Sequence, residues 1–288
     1  MKVKQIHKNI GVSIEGIDLS KIDENTFKKI KDLWVQYLIV IFPKQNISDE
    51  DHIKFGKKFG ELEVHPSLSH RSSKNPEIYR VSNVDENGKI IPNKETSWQY
   101  LKQSWLWHTD SSFRKIPSNG SILHGISTTN KGGNTLFANM YRAYETLPNE
   151  LKQKLDGVEA EHGFYTGVDV SEKMKQALRI DGYDGKAIHP VFIRHEETGR
   201  TALYVNRLQT RRLIGFEETE SRKILAHLFE HSEQTEMIYQ HKWTPGDLVA
   251  WDNRCTNHAR TDFGPDERRL LLRTTVQGVK PCGAVSAS

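Results

Sequence analysis

The last third of the chain repeats one pattern. KAIHPVFIRH, TALYV, EMIYQHKW, DLVAWD and RLLLRTTV are short runs rich in β-branched and aromatic residues, separated by turn chemistry and by one amphipathic helix near Glu217 to Glu230. Strands this short and this closely spaced predict a β-sandwich or barrel. Such architectures routinely exceed the usual domain size, so 288 residues with no evident linker or repeat read as a single domain, 1–288. With 36% hydrophobic and 27% charged residues the chain can build an ordinary core.

The first half adds helices to this frame. Phe27, Ile30, Leu33, Trp34 and Tyr37 recur at three- and four-residue spacing and predict a helix over Glu24 to Tyr37. LIVIFP, stopped by Pro43, follows as a buried strand, and Ser48 is placed to cap a second helix carrying His52, Phe55 and Phe59 before Gly60. SILHGIS and NTLFA read as strands, and MYRAYETLPNELKQKL as a helix in which Pro148 starts a second turn. Periodicity fails from Ser67 to Ser104 and from Thr166 to Lys186. These loop-rich segments, near 65–104 and 166–186, are expected to act as lids.

Charge and cysteine usage narrow the function. Forty-one basic residues against 37 acidic ones leave a net charge of +4, with no dense Lys/Arg tract, so a nucleic-acid partner is not suggested. The N-terminus lacks a signal-peptide stretch, and no run of about 18 apolar residues could cross a bilayer, so a cytoplasmic location with no membrane partner is expected. Cys255 and Cys282 lack zinc-site spacing and cannot form a disulfide framework; both are expected to be reduced. A homo-oligomer remains compatible with this composition.

WLWHTDSSF sets His108 and Asp110 two residues apart, which puts both side chains on one face of an extended segment. His258 in WDNRCTNHA follows the strand DLVAWD and is the obvious third ligand. Two imidazoles and one carboxylate form a facial set that leaves coordination positions open on Fe(II). His-x-Asp alone is a weak signal in a chain with 13 histidines, and the surrounding residues strengthen it.

WHTD, the GGNT of Gly132 to Thr135, WDNRxxxH and the RRLLLR of Arg268 to Arg273 occur together and in order. In these motifs, from GVSIEGIDL to the final strand, the chain resembles the taurine dioxygenase and 2,4-dichlorophenoxyacetate dioxygenase family of iron(II)- and 2-oxoglutarate-dependent oxygenases. The resemblance implies a double-stranded β-helix, the cupin-like jelly roll, mainly β with peripheral helices. It also implies His108, Asp110 and His258 as catalytic iron ligands, O2 and 2-oxoglutarate as co-substrates, and release of succinate and CO2. Because Asp110 is retained as a ligand, hydroxylation of a C–H bond is the expected outcome.

Arg269 and Arg273 are four residues apart in a predicted strand and share a face, with Arg268 on the other. Guanidinium forks suit carboxylates. The resemblance assigns Arg269, eleven residues beyond the distal histidine, to 2-oxoglutarate, with help from Thr135. It assigns Arg273 to the anionic group of the substrate, and His65 and Phe164 to the substrate pocket. Leu68 and Ser104 stand where the taurine enzyme carries a tyrosine and an asparagine, so the pocket should be less polar than a taurine site. The expected substrate is therefore a small organic anion, an aryloxyalkanoate-like carboxylate ahead of taurine or another alkylsulfonate. A non-catalytic β-helix protein that only binds a small acid is the alternative of another class; desaturation or another oxidative rearrangement would share the same site.

Overall fold

A computed structural model describes residues 1–64, 71–92, 103–163 and 186–284. Among these the largest sheet has seven strands, in the order β1 (Lys2–Gln5), β2 (Val12–Glu15), β3 (Ile39–Phe42), β13 (Leu248–Asp252), β5 (Gly120–Ser127), β15 (Leu270–Val276) and β4 (Tyr79–Ser82). Two three-stranded sheets complete the jelly roll: β12 (Ile238–His241), β6 (Thr135–Asn139) and β14 (Thr256–Arg260); and β11 (Thr210–Leu213), β7 (Glu159–Gly163) and β8 (Lys186–Pro190). β9 (Phe192–Arg194) and β10 (Thr201–Leu203) form a hairpin beside them.

The pleat of the large sheet divides the apolar residues between two cores. Ile39, Ile41, Leu123, Val249, Trp251 and Leu271 face inward onto Phe137, Ala160 and Leu203 of the smaller sheets. Their neighbours Val40, Phe42, Ile122, Leu248, Ala250 and Leu272 face the opposite way, onto helices. A strand buried on both faces has no polar side to show, which is why LIVIF is a continuous apolar run rather than an alternating one.

The Glu24–Tyr37 helix buries Phe27, Ile30 and Trp34 in that outer core, starts where the Asp23 carboxylate accepts from Thr26 N at 2.7 Å, and ends at Leu38 in a left-handed conformation. The Asp49–Lys57 helix begins with a reciprocal capping box between Ser48 and Asp51. Pro148 splits MYRAYETLPNELKQKL into two short helices, Met140–Glu145 and Asn149–Lys154, and KAIHPVFIRH divides at Val191 into β8 and β9. The loop-rich stretch after Ser67 contains a real strand, β4, at the edge of the large sheet. Residues 65–70 and 93–102 of the first expected lid, and 166–185 of the second, lie outside the described residues. No described helix is long and apolar enough to cross a membrane.

Candidate metal centre and anion pocket

The candidate site lies at the row of residues where the His108 segment joins β14. The backbone N–H of His108 donates to the carbonyl of His258 at 2.9 Å, and His258 N–H returns the bond at 2.7 Å. Residues paired in this way put their side chains on the same face, and the two rings lie 4.1 Å apart, centroid to centroid. Asp110 follows two residues on, just before Ser111 turns the chain away at φ 63°. One ligand atom from each of His108, Asp110 and His258 lies within 4.8 Å of the others, and all three residues are buried.

Hydrogen bonds aim these groups. Nδ1 of His108 is 2.8 Å from the Leu106 carbonyl, and a carbonyl only accepts, so Nδ1 carries the proton and the Nε2 lone pair is available. Burial, and for His258 the neighbouring His108 ring, push both imidazoles below the usual histidine range, so they stay neutral as metal ligation requires. Burial alone would raise the Asp110 carboxyl; the Arg273 guanidinium foremost, with the Ser121 hydroxyl, lowers it and keeps the group ionised. Asp110 Oδ2 accepts from Ser121 at 2.6 Å and Oδ1 from Arg273 at 2.8 Å, while Oδ1 also lies 3.9 Å from His258 Nε2. Ser121 is held in turn by Asn253, whose amide oxygen accepts from the Trp251 indole. The WDN stretch thus positions a ligand it never touches. Two neutral imidazoles and an oriented carboxylate on one face fit iron(II), and nitrogen and oxygen donors without thiolate argue against a soft-metal site.

A second feature lies beside this cluster. Arg269, only 4% exposed, spends Nε on the Gly133 carbonyl at 3.1 Å, and its backbone is pinned at the start of β15 by Asn83. No carboxylate among the described residues pairs with it, and burial drives its pKa well below the arginine norm, with the Arg260 charge adding to the effect. Gly132 and Gly133 both hold left-handed backbones, at φ 71° and 64°, and a Cβ on Gly132 would meet the Asp262 carbonyl at 1.9 Å. The paired glycines let this turn close against the Asp262 backbone and present a carbonyl to Arg269. Two residues on, the Thr135 hydroxyl accepts from Trp243 Nε1 at 2.9 Å. Buried Arg260, its pKa pushed down to about 10 by burial, lies over the Phe263 ring.

The structure therefore brings together His108, Asp110, His258, Thr135, Arg269 and Arg273. Ser104 sits against Arg260, its hydroxyl accepting from Nε at 2.9 Å. His65, Leu68 and Phe164 lie outside the described residues. Ser121, Asn253, Asn83, Trp243 and Arg260 were not anticipated. The WDN motif was the available signal for Asn253, but a serine in an apolar strand or a tryptophan after a histidine signals nothing by itself.

Another buried histidine–carboxylate group has a different character. His195 Nε2 lies 3.0 Å from Asp252 Oδ2, and Arg254 reaches both carboxylate oxygens, with Nε at 2.9 Å and Nη2 at 2.6 Å. Cys255 is buried beside them, its thiol pushed up by burial and by Asp252. Arg254 continues outward to Glu196 and Glu197.

Comparison with known proteins agrees with this geometry. The Taurine catabolism dioxygenase TauD, TfdA family matches residues 2–275. Pentalenolactone F synthase of Streptomyces avermitilis is 34% identical over 280 residues, covering 92% of this chain and 90% of the relative. The alpha-ketoglutarate-dependent 2,4-dichlorophenoxyacetate dioxygenase of Cupriavidus pinatubonensis is 32% identical over 282 residues, covering 94% and 95%. The crystal structure of AAD-2 in complex with Mn(II) and N-oxalylglycine superposes with a TM-score of 0.85 at 28% identity, over 97% of this chain and 98% of that one. A match over nearly the whole length, on a jelly roll that buries a His-x-Asp…His cluster, means that this chain belongs to the TauD/TfdA dioxygenase family.

Proposed function

We propose that this protein is an iron(II)- and 2-oxoglutarate-dependent dioxygenase that hydroxylates a C–H bond of a small organic acid, with an aryloxyalkanoate-like carboxylate as the favoured substrate. The observation that carries the reading is Arg269, a buried guanidinium with no acidic partner among the described residues, in the same interior as the His108, Asp110 and His258 donors. A desolvated charge without a counter-ion is costly, and an anion from solution is the natural compensation. The distal carboxylate of 2-oxoglutarate supplies one. N-oxalylglycine, held by the AAD-2 relative, has the same backbone length as 2-oxoglutarate, with an NH in place of one methylene.

In this reading His108, Asp110 and His258 would hold iron(II), which when loaded with O2 and 2-oxoglutarate supplies the oxidising power, with succinate and CO2 released. The chain's own residues orient and exclude. Ser121 and Asn253 fix the Asp110 carboxylate, Leu106 fixes the His108 tautomer, and Thr135 and Arg269 set the reach of the co-substrate. Arg273 lies over the Tyr79 ring at 4.8 Å and shares Asp110 Oδ1 with the ligand cluster. A dication held by the cluster would draw on the Asp110 charge, which would weaken the Arg273–Asp110 attraction and leave the guanidinium to favour a substrate carboxylate. The relative named for 2,4-dichlorophenoxyacetate supports an aryloxy acid.

Succinate formation from 2-oxoglutarate, under air with iron(II), tests the proposal with panels of aryloxyalkanoates, aliphatic acids and alkylsulfonates. Stimulation by one acid panel is expected, greatest for aryloxyalkanoates. A protein that forms no succinate with any acid, and binds no 2-oxoglutarate, would contradict it.

A further inference from the structure

Arg260 is a charged side chain placed where the proposed function gives it no task. It ends β14 two residues beyond His258, so both side chains project to the same face of the strand. Its cross-strand partner on β6 is Thr135, just as the partner of His258 is Phe137. The ladder therefore sets Arg260 one step along from the metal row and directly beside the threonine assigned to the co-substrate. Its guanidinium lies 4.6 Å from the centroid of Phe263, and that of Arg269 lies 5.9 Å from the same ring. Two buried cations thus share one aromatic wall, and the Asp262 charge offsets only part of the burial cost at Arg260. Ser104 and Trp105, on the segment leading to His108, also lie against Arg260.

Like charges this near repel, and the repulsion grows as water is removed. A pocket that keeps both gains most from an anion able to bond with each, and a carboxylate has two oxygens and about four lone-pair sites. We propose that Arg260 is a second arm of the co-substrate clamp, reaching across Phe263 so that the distal carboxylate of 2-oxoglutarate is bound by Arg260 as well as Arg269. The inference rests on the 2-oxoglutarate reading above. It makes Arg260 a binding residue rather than a catalytic one, and gives Ser104 the role of holding its Nε, while Nη1 lies 3.5 Å from the Thr261 carbonyl.

The test is isothermal titration of Mn(II)-loaded protein under argon, with 2-oxoglutarate and with 2-oxobutyrate, which keeps the chelating keto acid and lacks the distal carboxylate. Arg260→Gln should weaken 2-oxoglutarate by about tenfold to a hundredfold, the scale of a lost charge-assisted hydrogen bond, and leave 2-oxobutyrate unchanged. Arg269→Gln should do the same more strongly. Arg260→Lys, which keeps the charge and loses the fork, should fall between the parent and Arg260→Gln; it carries the test alone if Arg260→Gln does not fold. Unaltered 2-oxoglutarate affinity in folded Arg260 variants, with Arg269→Gln weakened, overturns the second arm and leaves the function standing. Equal loss for both ligands also overturns it, because Arg260 would then only shape the pocket. A parent protein that binds neither ligand removes the reading on which the inference rests.

Discussion

The interior holds two buried clusters each built around a histidine and an aspartate, His108/Asp110/His258 and His195/Asp252/Cys255, and they teach how a site differs from a scaffold. In the second, every strong acceptor is satisfied from within: Asp252 takes Arg254 on both oxygens and His195 on one, and Arg254 passes its remaining charge to Glu196 and Glu197. In the first, the hydrogen bonds stop short. His108 is fixed through Nδ1 alone, His258 Nδ1 has no partner among the described residues, and Asp110 Oδ1, held by Arg273, still lies 3.9 Å from His258 Nε2. A saturated cluster stabilises the fold; an oriented, unsaturated one is poised for a ligand.

The comparison breaks most sharply under parallel truncation. Asp110→Ala should lose iron-dependent turnover to below detection while its thermal unfolding stays close to the parent's, because a carboxylate in an open site serves chemistry more than packing. Asp252→Ala should instead cost about 3 to 5 kcal/mol of stability in urea titration, since it removes the fully buried carboxylate that pairs with both Arg254 and His195. Reversed phenotypes would exchange the roles of the two clusters.

Next in size is the anion pocket. Arg269→Ala should weaken 2-oxoglutarate by about 2 to 5 kcal/mol, the scale for removing one partner of a buried charge pair. The check is calorimetric titration under argon, and unchanged affinity would place the anchor elsewhere.

How much of this was legible in sequence follows the same division. The helix at Glu24–Tyr37, the strand LIVIF and the capping box at Ser48 were readable because local periodicity and capping chemistry decide them. The grouping of His108 and Asp110 was readable from a two-residue spacing. Strands β4, β7 and β14 were not, because β4 is a short edge strand inside turn-rich sequence, and EAEHG and TNHAR take their order from cross-strand pairing rather than from apolar pattern. Ser121 and Asn253 were hidden for a related reason: each acts through a partner at least eleven residues away, and nothing local marks the contact. Arg273 was expected to face a substrate anion, and its bond to Asp110 adds a competition that spacing cannot reveal.

Smaller effects sharpen the picture. Ser121→Ala removes the hydroxyl that orients Asp110 and should lower metal affinity by about tenfold to a hundredfold, measured by competition with a chelator, leaving stability nearly unchanged. The smallest effect belongs to the outer core. His52 is fully buried between α-helix and sheet and is pushed by burial to a pKa of about 3 from 6.5. The folded state therefore keeps it neutral while the unfolded chain takes up a proton below 6.5. The stability it confers is complete above that pH and is lost progressively as pH falls toward 3, by about 1.4 kcal/mol per unit. In the apoprotein, His52→Gln should flatten the fall in urea midpoint between pH 6.5 and 5.5; an unaltered slope would show that other groups carry it.

The most direct test of the account is anaerobic equilibrium dialysis of iron(II) against the parent, Asp110→Ala and Cys255→Ala. The two buried clusters predict opposite results: the parent and Cys255→Ala should retain an equivalent of iron per chain, and Asp110→Ala should retain none. Iron held by Asp110→Ala, or lost from Cys255→Ala, would contradict the assignment of the metal to His108, Asp110 and His258.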